Sequence, residues 1–187
     1  ICGAIPELLK HSPIEAVHIS DITKTAHVSK STFYRYYSSV DDALRDIEDR
    51  FFEGLRDKCR YFISTQLGFD NLDKPLPLFL GFAEYMHANR EIFLVLTTPY
   101  VDERFLYKWR CLGRELYGGK VSYERYSSDI GNLYIEFAIE GLVQANRSWF
   151  TDHHDIAVEE MAVFAQLILF GPLIHLKRIE PRRRIKL

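Results

Sequence analysis

Cysteine is scarce in this chain: 3 in 187 residues, at positions 2, 59 and 111, with no C-x-x-C pair. An odd, scattered set excludes a disulfide framework and a zinc knuckle, and it suits a reducing, cytoplasmic setting with thiols that merely pack. A charge excess of either sign is also lacking. Lys and Arg number 24 against 26 Asp and Glu, a net charge of −2. A uniformly basic, histone-like binder is thereby excluded, and any nucleic-acid contact has to be a local basic face on a near-neutral body. No hydrophobic run is long enough for a bilayer. The longest, MAVFAQLILFGPLI at 161–174, is short and is broken by Gly171-Pro172. Ile1 to Lys10 lacks a basic stretch ahead of an apolar one, so no signal peptide is expected. G-x-S-x-G, P-loop, G-x-G-x-x-G and H-E-x-x-H are all missing, and neither a nucleophile–base pair nor a cofactor or metal set takes their place. The reading is of a protein that is not an enzyme.

What the chain does have is aromatic and apolar content, 14% and 47%, and a helical period almost throughout. The most informative stretch is HVSKSTFYRYYSS, residues 27–39. Ser29 stands where an N-cap stands, its hydroxyl free to accept an orphan backbone N–H. At about 100° per residue, Phe33 and Tyr37 share an inward side, with Val28 as an anchor in the turn. The outward side carries Ser31 and Arg35, flanked by Thr32 and Tyr34. From Thr23 to Val40 there is no Asp or Glu. Short donors, one guanidinium and a phenol suit a major groove, where small side chains allow close approach and Arg pairs with guanine. Ser31, Thr32 and Arg35 are the candidates for base edges. Ser20, Lys30, Tyr34 and Tyr36 are the candidates for phosphates or groove walls. Just before this stretch, Ile19, Ile22 and Ala26 form one apolar stripe, a first helix of a helix-turn-helix.

Taken together, ISDITKTAHVSKSTFYRYYSSVDDAL resembles the DNA-binding segment of the tetracycline-repressor (TetR) family of bacterial regulators. The resemblance covers roughly residues 1–46, with VSKSTFYRYYSS its most specific part; beyond that only helical architecture and length agree. It implies an all-α fold in which an N-terminal three-helix domain is joined by a long helix to a C-terminal helical ligand-binding and dimerisation domain. It also implies a homodimer on a palindromic double-stranded DNA operator, acting as a repressor that a small effector releases. Three positions depart from the family pattern. His27 replaces the usual turn Gly, at a steric cost unless its φ stays negative. His18 is a poorer cap than the frequent Thr. Val40 replaces a common phosphate-contacting Lys.

Along the chain, helices are expected at 3–10, 19–26, 30–36, 39 to about 66, 78–88, 91–97, 102–116, 128–149 and 155–177. Domains are expected at 1–46 and 47–187. Ser39-x-x-Asp42 reads as a capping box for the long fourth helix, and Asp155 as the cap of the last. Phe82, Phe105, Tyr107, Trp109, Tyr134 and Phe137 are either ordinary core or, in a TetR-like fold, the lining of a pocket for an apolar or aromatic effector. The last helix is apolar nearly all round and needs cover on two sides. Gly141, Leu142, Ala145, Phe164 and Ile168 are accordingly expected at a two-fold interface with a second copy. Asp152-His153-His154-Asp155 reads as a solvated interhelical turn. Glu84, His87 and Glu91 read as surface charge, and Arg182–Lys186 as a solvated basic tail. The rival reading is an interaction module, a degenerate relative whose helical body binds a partner protein.

Overall fold

The computed structural model describes residues 1–63, 74–98, 103–117 and 128–178. All regular structure among the described residues is helical. The helices are α1 (Ala4–Leu9), α2 (Ile19–Thr25), α3 (Lys30–Tyr36), α4 (Val40–Ile63), α5 (Pro77–Ala88), α6 (Arg90–Leu96), α7 (Arg104–Tyr117), α8 (Ser128–Thr151) and α9 (Val158–Arg178), with a 3₁₀ turn at Ile14–Ala16. Among the described residues no helix is long and apolar enough to cross a membrane. The far end of the expected fourth helix and the basic tail, Arg182–Lys186, lie outside the described residues.

Local chemistry explains where the helices begin. At α4 the Ser39 hydroxyl accepts from the Asp42 N–H at 3.0 Å. The Asp42 carboxylate, however, accepts from the backbone and hydroxyl of Ser38, at 2.8 and 3.0 Å, one residue earlier than a strict capping box. The cap expected at Asp155 is displaced. Helix α9 starts after Ala157, whose N–H donates to the Glu160 carboxylate at 3.0 Å, and Asp155 stays exposed in the turn. Glutamate at the third helical position reaches back and meets the partial positive charge of the helix start.

Helices α1, α2 and α3 pack as a small unit on the first half of α4, with Ile5, Leu9, Ile22, Phe33, Leu44 and Ile47 buried between them. The second half of α4 enters the body. There Phe51, Phe52, Phe82, Phe93, Phe105 and Trp109 stack and edge against one another at 5.0–6.4 Å between ring centroids. The Trp109 indole N–H donates to the Ile139 carbonyl at 2.9 Å, so the large ring is buried without an orphaned donor. Gly54 lets α5 approach closely: a Cβ there would lie 2.5 Å from the Tyr85 hydroxyl, which donates to the Phe51 carbonyl. Gln166, fully buried on α9, accepts the N–H of Leu76 at 2.7 Å and so caps α5 from a distance. Burial pushes the Cys59 thiol up to about 12, which agrees with a cysteine that only packs.

One charged pair lies deep. Glu48 on α4 is fully buried, and its carboxylate accepts from the Lys108 ammonium of α7 at 2.8 Å. Lys108 also meets Asp49 at 2.7 Å. Burial alone would lower the Lys108 pKa, but the Asp49 and Glu48 carboxylates outweigh it and raise the value. Removing the cation alone strands a buried carboxylate. Lys108→Met should therefore destabilise the protein by about 3 kcal/mol, at the low end for such breaks because the lysine is partly exposed. The double variant Glu48→Gln/Lys108→Met should recover much of that loss, as read by urea denaturation at pH 7.

Candidate nucleic-acid interface

The expected helix-turn-helix is built from α2, a tight turn and α3. Helix α2 opens without a side-chain cap from His18; instead the Asp21 carboxylate accepts from the His18 N–H at 3.1 Å. Thr23, buried on the inner side, donates to the Ser20 carbonyl at 3.1 Å. At the end of α2 the Val28 N–H reaches the Thr23 carbonyl at 3.0 Å and the His27 N–H reaches Lys24 at 3.3 Å. Those two bonds form a Schellman motif, which requires a left-handed residue at the position His27 occupies. His27 has φ 53°, the one non-glycine residue with positive φ among the described residues. The turn therefore keeps its geometry, and the histidine carries the strain that a glycine would avoid.

Helix α3 is capped as its sequence indicates. The Ser29 hydroxyl accepts from the Thr32 N–H at 3.0 Å and lies 2.8–2.9 Å from the Ser31 and Thr32 hydroxyls. Phe33 is fully buried and meets Tyr34 and Tyr37 at 5.8 Å between ring centroids. Ser20, Lys30, Ser31, Tyr34, Arg35 and Tyr36 are exposed, with Tyr34 at 58% and Tyr36 at 65%, unusual for tyrosines unless another surface covers them. Thr32 is half-buried against the cap.

Charge on this face is unspent. Among the described residues, none of Lys24, Lys30 and Arg35 meets a carboxylate. In contrast, Arg45, Arg50, Arg56, Arg104, Arg110 and Arg114 all do. Lys24 is a member of this set that the sequence reading did not single out, although it belongs to the same acid-free stretch.

A second feature went unread. The Tyr37 hydroxyl donates to the Asp46 carboxylate of α4 at 2.5 Å and lies 3.1 Å from the Cys2 sulfur. Arg50 holds the other carboxylate oxygen at 3.0 Å. Burial and the Asp46 bond raise the Tyr37 pKa, and the Tyr37 bond with the Arg50 cation lowers that of Asp46. Nothing in local spacing announces a pairing nine residues apart across a turn.

The residues expected around an effector divide into two groups. Phe82, Phe105 and Trp109 are buried and packed ring on ring. Tyr107 and Phe137 point to solvent at 65% and 73% exposure, while Tyr134 donates to the Ile168 carbonyl. These six do not converge on a common space. A recess of about 210 Å³ between α4 and α7 is lined by Asp49, Phe52, Glu53, Arg56 and Lys108 instead.

The expected interface residues divide as well. Leu142 is buried in its own subunit's core. Gly141 and Ala145 are half-buried, with open space where a Gly141 side chain would go, while Phe164 is exposed and Ile168 half-buried. The open apolar side of α8 is carried by Leu133 and Phe137, and Phe164 and Leu167 of α9 are exposed as well. As for metals, no group of three His, Cys, Asp or Glu among the described residues could hold one. His87 lies against Trp149 and Glu91 pairs with Lys10.

The fold is thus an all-α helix-turn-helix architecture with a helical body. Residues 2–45 match the family model for bacterial regulatory proteins of the tetR family, so the N-terminal helices form a TetR-type helix-turn-helix domain. Two solved structures share the fold. One is described as the dihydroxyacetone kinase operon activator DhaS: 17% identity, TM-score 0.54, covering 96% of this chain and 96% of that one. The other is PfmR, a TetR family transcriptional regulator from Thermus thermophilus: 17% identity, TM-score 0.57, covering 90% of this chain and 96% of that one. No curated protein matches the chain.

Strain at the turn yields a direct test. His27→Gly should raise stability by about 0.5–1 kcal/mol, the relief of a left-handed side-chain residue less the flexibility a glycine adds to the unfolded chain. His27→Ala, which keeps the Cβ, should give no such gain in the same urea titration.

Proposed function

We propose that the protein is a DNA-binding transcriptional regulator that grips a palindromic operator as a homodimer. The observation that supports this reading most strongly is the outer face of α3. It has no acid, two cations without carboxylate partners (Lys30 and Arg35, with Lys24 of α2 a third in the same acid-free stretch), and two tyrosines standing in solvent. Such a face is complementary to phosphate and to base edges. The match of residues 2–45 to the tetR family model supports a DNA-binding reading of that face. Lys24, Lys30, Tyr34 and Tyr36 hold the backbone; Ser31 and Arg35 reach base edges, and Thr32 supports them from the cap.

Dimerisation rests on a different observation. Leu133 and Phe137 on α8, and Phe164 and Leu167 on α9, are large apolar side chains left exposed on two helices that pack on each other. A second copy related by a two-fold axis covers them with the same surface and sets two recognition helices about 34–36 Å apart or a multiple of that. Whether the bound dimer represses or activates depends on where the operator sits relative to the promoter. Release by an effector finds no support in the aromatic group, whose buried rings fill one another's space.

Duplexes selected by the wild-type protein from a randomised pool provide the test. Arg35→Ala should weaken binding to the selected duplex by about 1–3 kcal/mol, with much less loss on random DNA. Equal losses on both would make Arg35 a phosphate contact, and failure to select any duplex would favour a protein-binding module. For the dimer, Phe137→Glu should give monomers in sedimentation and weaken binding to the full palindrome. Wild-type monomers at micromolar concentration would remove the interface. Leu142→Glu should instead unfold the subunit, since that side chain lies in its own core.

A further inference from the structure

Helix α3 has seven residues, Lys30–Tyr36, and a single buried side chain, Phe33. One buried anchor near the middle of a short helix fixes its depth but not its roll about its own axis. The Ser29 cap ties the first turn to residues of α3 itself, since all its partners are Ser31 and Thr32. The turn bonds around His27 tie the start of α3 to α2 through backbone alone, so a side-chain contact at its other end is needed to fix the roll.

Tyr37, the residue that ends α3, supplies that second point. Its backbone is extended, φ −138° and ψ 138°, and its ring lies against Phe33. Its hydroxyl donates to Asp46 on α4, and Arg50 holds the same carboxylate from one turn further on. The Cys2 thiol, just ahead of α1, is placed to donate to the phenol oxygen. Thiol, phenol, carboxylate and guanidinium meet at one polar junction of α1, α3 and α4, the Cys2 sulfur lying 3.1 Å from the phenol oxygen and 3.8 Å from the same Asp46 oxygen that the phenol reaches. Building on the DNA-binding reading above, we infer that Tyr37 and Asp46 form a positioning latch that sets the roll of the recognition helix and so determines how selectively its outer face meets base edges.

The lever arm makes this consequential. An arginine tip lies about 7 Å from its helix axis, so a roll of roughly 10° moves it by about 1 Å, enough to spoil a bidentate hydrogen bond. Phosphate contacts through flexible lysines tolerate such a shift, because a point charge needs no fixed orientation. Loss of the latch should therefore weaken base reading and spare the non-specific grip.

Tyr37→Phe keeps the ring and removes only the hydroxyl. On a duplex selected by the wild type from a randomised pool, it should bind about 5- to 20-fold more weakly. On random duplex it should stay within about 2-fold, with the same slope of log K against log[salt]. Asp46→Ala should behave alike, and the Tyr37→Phe/Asp46→Ala double variant should be no worse than the poorer single one. Equal losses on both duplexes, or additive losses in the double variant, would overturn the latch. So would wild-type affinity of Tyr37→Phe on the selected duplex. Amide hydrogen exchange without DNA separates this inference from the reading it rests on. Residues 30–37 should exchange faster in Tyr37→Phe while α4 keeps its protection. If the wild type selects no duplex, the DNA reading and the proposed role in base selection fall together. Unchanged exchange across 30–37 would overturn the latch even where DNA binding is intact.

Discussion

Burial of one face of α4 is the interaction on which the rest depends. The first half of that face, Ala43, Leu44 and Ile47, closes the small core under Phe33. The second half, Phe51, Phe52, Leu55 and Cys59, closes the aromatic core of the body. A single continuous helix therefore lines both ends of one connected hydrophobic core. At roughly 1.5–3 kcal/mol for each large apolar side chain taken out of water, neither half can detach without a cost comparable to the stability of a whole domain. The orientation of α3 relative to the body is thus inherited largely from α4, with α1 against α6 as a second tie, and whatever fixes α3 on α4 also fixes its exposed outer side chains.

Polar contacts around α4 then divide by burial. Asp41–Arg104 at 2.7 Å and Arg56–Glu115 at 3.1 Å bridge α4 to α7 at the surface, where exposed pairs contribute little each. Glu48–Lys108 is different, because the carboxylate is fully buried and one of its oxygens has no other partner. That pair adds little net stability over an apolar substitute, but it penalises any register of α4 on α7 that separates the two charges. Sliding by one helical turn, about 5.4 Å, would leave a buried carboxylate without its cation. The pair therefore acts on register more than on overall stability.

Much of this was legible from residue order. The Ser29 cap, the inward Phe33 and the exposed face of α3 follow from helical period and hydrogen-bond inventory alone, and so do the approximate bounds of the later helices. Legibility failed where two answers share one pattern. Helix α8 has two apolar stripes, Leu133–Phe137–Gly141–Ala145 and Tyr134–Ala138–Leu142, and period alone does not say which one its own subunit covers. Packing against α6, α7 and α9 chose the second, which moved Leu142 inside and left Phe137 out. The aromatic group has the same ambiguity: rings that fill a core and rings that line a pocket read alike until their neighbours are known. Tyr37–Asp46 was invisible for another reason, since a hydroxyl and a carboxylate nine residues apart meet only because a turn and two helix axes bring them together.

The turn at His27 shows how such a molecule tolerates a poor local choice. A left-handed histidine costs about 1–2 kcal/mol relative to a glycine. The motif absorbs this because two backbone bonds close around the residue and because Ile22, Thr23 and Phe33 are buried on either side of the turn. A right-handed His27 would break both bonds and turn α3 away from the core that holds Phe33. The strain is local and bounded, whereas the alternative would expose a fully buried phenylalanine, a loss of about 3 kcal/mol at the upper end of the transfer scale, along with the two bonds. The larger cost decides the conformation, which is why the turn keeps a glycine-like geometry around a side chain that disfavours it.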